Sequence, residues 1–122
     1  MELMKCGLGK RVAAWLERTE PIPKAATSVS TDRPTALMNY QTLRVRRELD
    51  TPEKVALIDD VVTAGATMLG SANRLAEAYP GVPIRGFAAA RTKTGASDFT
   101  STIEPVVGTI SLRPNGRTQR DP

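Results

Sequence analysis

The segment VALIDDVVTAGAT, residues 55–67, constrains the fold more than any other part of the chain. Its four apolar residues at 55–58 do not alternate with polar ones, which predicts a strand buried on both faces, as in parallel sheets. The apolar spacing over 67–79 predicts a helix, and 84–90 predicts a second strand in which Gly86 allows close packing. A strand, a helix and a strand in this order predict a parallel βαβ unit. We therefore expect an α/β fold with a parallel, Rossmann-like sheet and the 55–58 strand at its centre.

Weaker patterns describe the rest of the chain. Leu8, Val12, Trp15 and Leu16 recur at the spacing of one helix face, which predicts a first helix with Trp15 in the core. The remaining segments are a long loop at 24–36, an undecided helix or strand at 37–49, a strand near 106–112 and a flexible polar tail at 113–122.

The composition predicts a single domain over residues 1–122, with 40% hydrophobic and 25% charged residues. No apolar run is long enough for a membrane span, and nothing resembles a secretory leader, so we expect a cytoplasmic protein without a membrane partner. The single cysteine, Cys6, excludes an internal disulfide, and the absence of histidine excludes a Ser-His-Asp mechanism or a structural zinc site.

The formal charge of +4 is concentrated in residues 1–47, which contain nine Lys/Arg against four Asp/Glu. An excess of positive charge favours an anionic partner such as phosphate, pyrophosphate or nucleic acid. On charge alone a solvated basic surface is the preferred explanation, so the charge does not assign a partner.

Asp59 and Asp60 follow the predicted strand directly, and ligands of parallel sheets bind at the carboxyl ends of the strands. Two adjacent carboxylates repel each other, so they need hydrogen-bond donors, a cation or open solvent to stay charged. Sugar hydroxyls are suitable donors, and a hydrated Mg²⁺ is the other natural partner. A simpler alternative is that the two residues only end the strand.

The next segment, TAGAT at 63–67, has the features of a phosphate loop. Gly65 permits backbone conformations closed to other residues and a close approach by a ligand, while Thr63 and Thr67 supply hydroxyls. The helix that follows presents free N–H groups to an anion. The segment has no Gly-Lys-Ser/Thr of an ATP-binding loop and no Gly-x-Gly-x-x-Gly of a dinucleotide site. Carboxylates just before a phosphate loop favour a ribose 5-phosphate.

The thirteen residues at 55–67 resemble the PRPP-binding motif of the type I phosphoribosyltransferases. The wider similarity runs from about Gly9 to Arg91 and is closest to the competence-protein-F-like branch. The resemblance implies that Asp59 and Asp60 are the catalytic carboxylates that hold the ribose hydroxyls. It also implies that the 5-phosphate binds to the loop, Thr63, Ala64, Gly65, Ala66 and Thr67. In this family Mg²⁺ arrives on the pyrophosphate, so no direct protein ligand to a metal is expected, and a base or amine displaces that pyrophosphate.

Five basic residues are possible contacts to the pyrophosphate or the base: Arg44, Arg46, Arg47, Arg91 and Lys93. For the first three, a role as solvated surface charge is equally compatible with the sequence.

The chain also departs from the family pattern. About seven residues precede the predicted first helix, so we expect the amino-terminal strand and the pyrophosphate loop to be lacking, and the base-binding hood to be limited to 95–122. The isolated chain should then be weakly active or inactive, and an open sheet edge would favour a homodimer or another oligomer. The alternative is a non-catalytic module that binds PRPP or a nucleotide for regulation or interaction. A link to nucleic-acid uptake is the weaker third hypothesis.

Overall fold

The computed structural model describes residues 2–22, 33–92 and 104–121. Within these ranges the chain forms three helices and six strands. In chain order they are α1 (Glu2–Lys5), β1 (Leu16–Arg18), α2 (Ala36–Gln41), β2 (Leu43–Val45), β3 (Val55–Val62), α3 (Ala66–Ala78), β4 (Ile84–Arg91), β5 (Thr109–Leu112) and β6 (Thr118–Asp121).

The expected Rossmann-like sheet is wrong. In the described residues the six strands form three separate two-stranded sheets, and of these only β3 and β4 are parallel. The pairs β1–β2 and β5–β6 are antiparallel, so β3 has one strand neighbour and is not central. Pairing between distant strands depends on tertiary contacts, which a local apolar pattern does not encode.

The βαβ unit itself is confirmed. β3 and β4 run parallel in register from Val55 opposite Ile84 to Val62 opposite Arg91, and α3 connects them. The expectation of complete burial is wrong, because alternate residues of β3 are exposed and Ile58 keeps 47% of its surface accessible. A strand covered on one face alternates in burial whatever its composition.

Gly86 and Met68 show how closely α3 packs on the parallel pair. A Cβ placed on Gly86 would lie within 3.2 Å of three side-chain atoms of Met68. The close packing predicted at this glycine is therefore confirmed, and it fixes the distance of α3 from β4.

The undecided segment 37–49 contains both structures. Thr35 caps α2 by accepting a hydrogen bond from the Met38 N–H at 3.1 Å, and the chain then turns at Thr42 into β2. α2 packs against α3 at Gly70, where a Cβ would lie only 2.6 Å from the Ala36 carbonyl oxygen. Glycine at this position lets the two helices touch backbone to backbone.

The buried core is built at the amino ends of β3 and β4. Trp15, Leu75 and Tyr79 form its centre, with half-buried Val55 and Ile84 packed against them. The Trp15 and Tyr79 ring centroids are 5.3 Å apart, so the expected core position of Trp15 is confirmed.

The predicted first helix over Leu8–Leu16 is wrong. This stretch is irregular except that β1 begins at Leu16, and Leu8 and Val12 are exposed. Glycine disfavours helix, and Gly7 has a positive φ of 73° just before the expected helix, so four apolar residues at helical spacing are not enough.

The polar tail, expected to be flexible, contains β6, which forms a hairpin with the strand before it. β5 covers the second half of the strand predicted near 106–112, and β6 returns along it with Ile110 opposite Arg120. The expected loop at 24–36 lies outside the described residues up to position 32, and residues 33–35 have no regular structure. In the described ranges no helix is both long and apolar enough to cross a bilayer.

Candidate functional site

The acidic pair lies within β3, near its carboxyl end. The strand continues to Val62, so Asp59 and Asp60 are strand residues and do not end the strand. Asp59 is half-buried opposite Ala88 of β4, whereas Asp60 is exposed. Each carboxylate accepts a hydrogen bond from the next main-chain N–H, Asp59 from Asp60 at 2.9 Å and Asp60 from Val61 at 2.7 Å.

The surroundings of Asp59 disfavour its charged form. Burial raises the pKa of this carboxyl above its ordinary value of 3.8, and the side chain and charge of Asp60 raise it further. The N–H of Asp60 acts in the opposite direction. A hydroxyl donor or a cation bound at Asp59 would favour its charged form.

The loop after β3 has the geometry of an uncapped helix start. Gly65 is the N-cap of α3 with φ 86° and ψ 14°, a left-handed conformation that favours glycine. Its carbonyl accepts the Leu69 N–H at 2.9 Å, so the helical hydrogen bonds begin at Gly65. Gly65 makes no side-chain cap hydrogen bond, and the N–H groups in the first turn of a helix have no helical partners, which suits them to an anion.

Exposure differs along the loop. Thr63, Ala64 and Thr67 are exposed and Ala66 is half-buried, whereas Gly65 is buried. The side chain of Ile110 covers Gly65, since a Cβ at position 65 would lie 2.6–2.9 Å from three Ile110 carbons. The glycine therefore serves the packing of the hairpin, a reason for its presence that the sequence did not show.

Arg120 of β6 is a second residue that the sequence did not identify. Its guanidinium donates to the Val62 carbonyl at 3.0 Å and to the Thr92 carbonyl at 2.6 Å, at the carboxyl ends of both parallel strands. The polar composition of the tail gave no signal for this contact, because Arg120 and Val62 are 58 positions apart.

The five basic residues predicted to contact the pyrophosphate or the base do not lie together. Arg91 ends β4 opposite Val62, so it lies at the same end of the parallel pair as the loop. Lys93 lies outside the described residues.

Arg44, Arg46 and Arg47 are not brought to the loop. Arg44 and Arg46 form ion pairs with Glu17 at 2.6 and 3.9 Å, and Arg47 lies over the ring of Tyr79 at 5.6 Å. Tyr79 ends α3, whose 13 residues span about 20 Å from the loop. The same chain therefore does not use Arg47 as a clamp on a ligand held at its own loop.

The donor set for a metal ion is small. Across the described ranges, no three side chains of the metal-ligating types His, Cys, Asp and Glu cluster together. Asp59 and Asp60 provide carboxylates for hydroxyls or for part of the coordination of a cation that a ligand carries.

Comparison with known proteins adds no further information about this site. No protein-family model, no curated protein and no solved structure matches the chain.

Proposed function

We propose that this protein binds the ribose 5-phosphate part of a ligand at the carboxyl end of β3. PRPP is the foremost candidate for that ligand. The observation that carries the proposal is the uncapped, left-handed start of α3 at Gly65, which directly follows two carboxylates on one strand. One continuous segment thus supplies both kinds of contact. Its acidic pair accepts hydrogen bonds from sugar hydroxyls, and its glycine turn and helix N-terminus donate hydrogen bonds to a phosphate.

The phosphate contacts would come from the exposed side of the loop. Thr63 and Thr67 are exposed and carry hydroxyls, and the first turn of α3 adds main-chain N–H groups and the positive end of the helix dipole. The fold fixes the positions of these donors. Because the N-cap is Gly65, an anion would not have to displace an N-cap side chain in order to bind.

The ribose contacts would come from Asp59 and Asp60. A carboxylate only accepts hydrogen bonds, so a sugar hydroxyl suits either Asp59 or Asp60, whose side chains leave opposite faces of β3 because the two residues are consecutive in the strand. Asp59 is charged at a cost because of burial and the neighbouring Asp60, and hydroxyl donors would lower that cost. In PRPP, Mg²⁺ would be carried by the pyrophosphate, since the two carboxylates are too few to hold the ion alone.

The reaction class that fits such a ligand is transfer of the phosphoribosyl group to a base or amine with loss of pyrophosphate. The non-catalytic alternative, a module that binds PRPP or a nucleotide for regulation, is favoured by one observation. Three of the four arginines considered for the pyrophosphate lie elsewhere: Arg44 and Arg46 pair with Glu17, and Arg47 lies over Tyr79 at the end of α3 remote from the loop. The free, exposed Cys6 is compatible with a reducing compartment, so we also propose a cytoplasmic location.

Binding is tested by calorimetry of the full chain with PRPP and with ribose 5-phosphate, each with and without Mg²⁺. Asp60→Asn should weaken both ligands about ten- to hundredfold, because a charge-assisted hydrogen bond contributes about 1.5–3 kcal/mol. Asp50→Asn is the matched control, since Asp50 is an exposed carboxylate in a bend outside the site. Equal affinities for wild type and Asp60→Asn would contradict the assignment.

Catalysis is tested separately by pyrophosphate release from PRPP with a panel of purines, pyrimidines and their precursors. Release at about 1 s⁻¹ or faster, the lower end of ordinary turnover, would support a transferase. Binding without release would support the regulatory module.

A further inference from the structure

The C-terminal hairpin contacts the phosphate loop through one cross-strand pair. Ile110 of β5 and Arg120 of β6 are directly opposite in the antiparallel ladder, so their side chains leave the same face of the hairpin. Ile110 packs on Gly65, and Arg120 binds the main chain of Val62 and Thr92. The two contacts therefore hold Gly65 inside the loop and Val62, the residue just before the loop.

Arg120 fixes the point where the loop leaves β3. The Val62 carbonyl accepts the Thr92 N–H at 3.0 Å and one N–H of Arg120 at the same distance. The second Arg120 nitrogen binds the Thr92 carbonyl, so one planar guanidinium bridges the ends of both strands. A neutral or shorter side chain at position 120 could not make both bonds.

Ile110 holds the loop at its buried glycine. It covers Gly65, while Thr63, Ala64 and Thr67 stay exposed. The hairpin thus supports one side of the loop and leaves the side with the hydroxyls open.

We propose that Ile110 and Arg120 are positioning residues that hold the loop in its phosphate-binding conformation. Docking of the hairpin and binding of a phosphate are then coupled. The inference rests on the proposed function and adds to it a part of the chain outside the motif. Apparent affinity falls by the fraction of molecules whose site is competent, so an undocked hairpin weakens binding without removing a single ligand contact.

The test compares hairpin variants with matched controls in the full chain, using calorimetry with ribose 5-phosphate. Arg120→Met and Ile110→Ala should each weaken binding about tenfold, which corresponds to a loop that is docked about a tenth of the time. Arg117→Met removes the same charge from an exposed position of the hairpin, and Leu112→Ala shortens an exposed apolar residue of the same strand. Both controls should bind as the wild type does, and circular dichroism confirms that each variant is folded.

Two further measurements separate positioning from a general loss of structure. Arg120→Lys keeps the charge but cannot bridge two carbonyls in the same way, so it should restore affinity only in part. Hydrogen exchange should become faster at the N–H groups of Thr92 and Leu69 in Arg120→Met and stay unchanged at Tyr79, whose N–H binds Leu75 at the far end of α3. Ligand should slow exchange at Thr92 in the wild type, because coupling is reciprocal.

The outcomes are distinct. Wild-type binding with unchanged affinity in both hairpin variants would overturn the positioning role and leave the proposed function standing. Tighter binding by Arg120→Met or Ile110→Ala would show that the hairpin competes with the ligand, which also overturns it. Failure of the wild type to bind either ribose 5-phosphate or PRPP would overturn the proposed function, and this inference with it.

Discussion

Two glycines with nearly the same positive φ have different surroundings. Gly65 has φ 86° and is covered by Ile110, whereas Gly81 has φ 81° and no atom of the described residues lies within 4 Å of a Cβ placed there. The pair therefore separates the cost of a left-handed backbone from the cost of a packed contact.

We expect Gly81→Ala to cost about 1–2 kcal/mol of unfolding free energy, the usual penalty of a left-handed conformation. Gly65→Ala should cost about 1–3 kcal/mol more, because the methyl group overpacks Ile110. Urea unfolding of the two variants measures the difference. In Gly65→Ala/Ile110→Ala the additional loss should largely disappear, and a double mutant with two simply additive losses would contradict the contact.

Asp59 gives the chain a pH dependence of definite sign. Its pKa is raised in the folded protein by burial and by Asp60, so folding favours the protonated form. Its contribution to stability is greatest below its unfolded pKa of about 3.8 and is lost as the pH rises through the folded value.

Asp59→Asn should therefore be more stable than the wild type at neutral pH, and the advantage should vanish at about pH 3. Thermal unfolding of both proteins between pH 3 and 7 tests this expectation. The quantity compared at each pH is the difference between their melting temperatures. An advantage that grows toward low pH would mean that the carboxylate is stabilised in the folded state. If Asp59→Asn is more stable than the wild type and also binds ribose 5-phosphate more weakly, the charge of Asp59 serves ligand binding and not folding.

At the scale of elements, α3 is the part of the molecule to which the others attach. Arg74 donates to the Leu43 carbonyl at 2.8 Å and to Glu77 at 2.8 Å, and its guanidinium lies 4.8 Å from the ring of Tyr40. The Tyr40 hydroxyl donates to the same Glu77 carboxylate at 3.0 Å. One arginine thus joins α3 to both α2 and β2.

Arg74→Met should lower the free energy of unfolding by about 2 kcal/mol, since it removes charge-assisted hydrogen bonds and a cation–π contact while keeping much of the aliphatic stem. Arg85→Met is the control, because Arg85 is an exposed residue of β4. Guanidinium unfolding midpoints measure both. Equal midpoints would show that α2 and β2 attach to α3 through apolar packing alone.

The elements also show what a sequence can and cannot predict. β3, α3 and β4 were predictable because an apolar run and a helical period are local patterns, and they carry the acidic pair and the loop. β1 and β2 have three residues each, too few for alternation to be recognised, and β6 is polar throughout. Ile110 contacts Gly65 and Arg120 contacts Val62 from distant positions in the chain, so no local pattern identified them. The roles of Asp59, Asp60 and the loop in binding stay predictions.

At the scale of the whole molecule, the core and the candidate site occupy opposite ends of α3. The buried residue Leu75 lies in its last turn and buried Tyr79 is its C-cap, whereas Gly65 is its N-cap. Stability and ligand affinity should therefore respond to different residues.

Tyr79→Phe should lower the free energy of unfolding by about 1 kcal/mol, because the Glu48 N–H, which donates to the Tyr79 hydroxyl at 3.3 Å, loses its acceptor. Affinity for ribose 5-phosphate should be unchanged in the folded protein. Chemical unfolding and calorimetry on the same preparation test both expectations. Weaker binding in Tyr79→Phe would show that the two ends are coupled through α3.

The position of Trp15 provides an optical consequence. It is the single tryptophan of the chain, it is 9% exposed, and it lies against Tyr79 at the end of α3 remote from the loop. Its emission should shift to longer wavelength when the core opens to water. A ligand held at the loop, about 20 Å away along the helix, should leave the spectrum unchanged. Intrinsic fluorescence of this protein should therefore report the integrity of the core independently of whether a ligand occupies the loop at 63–67.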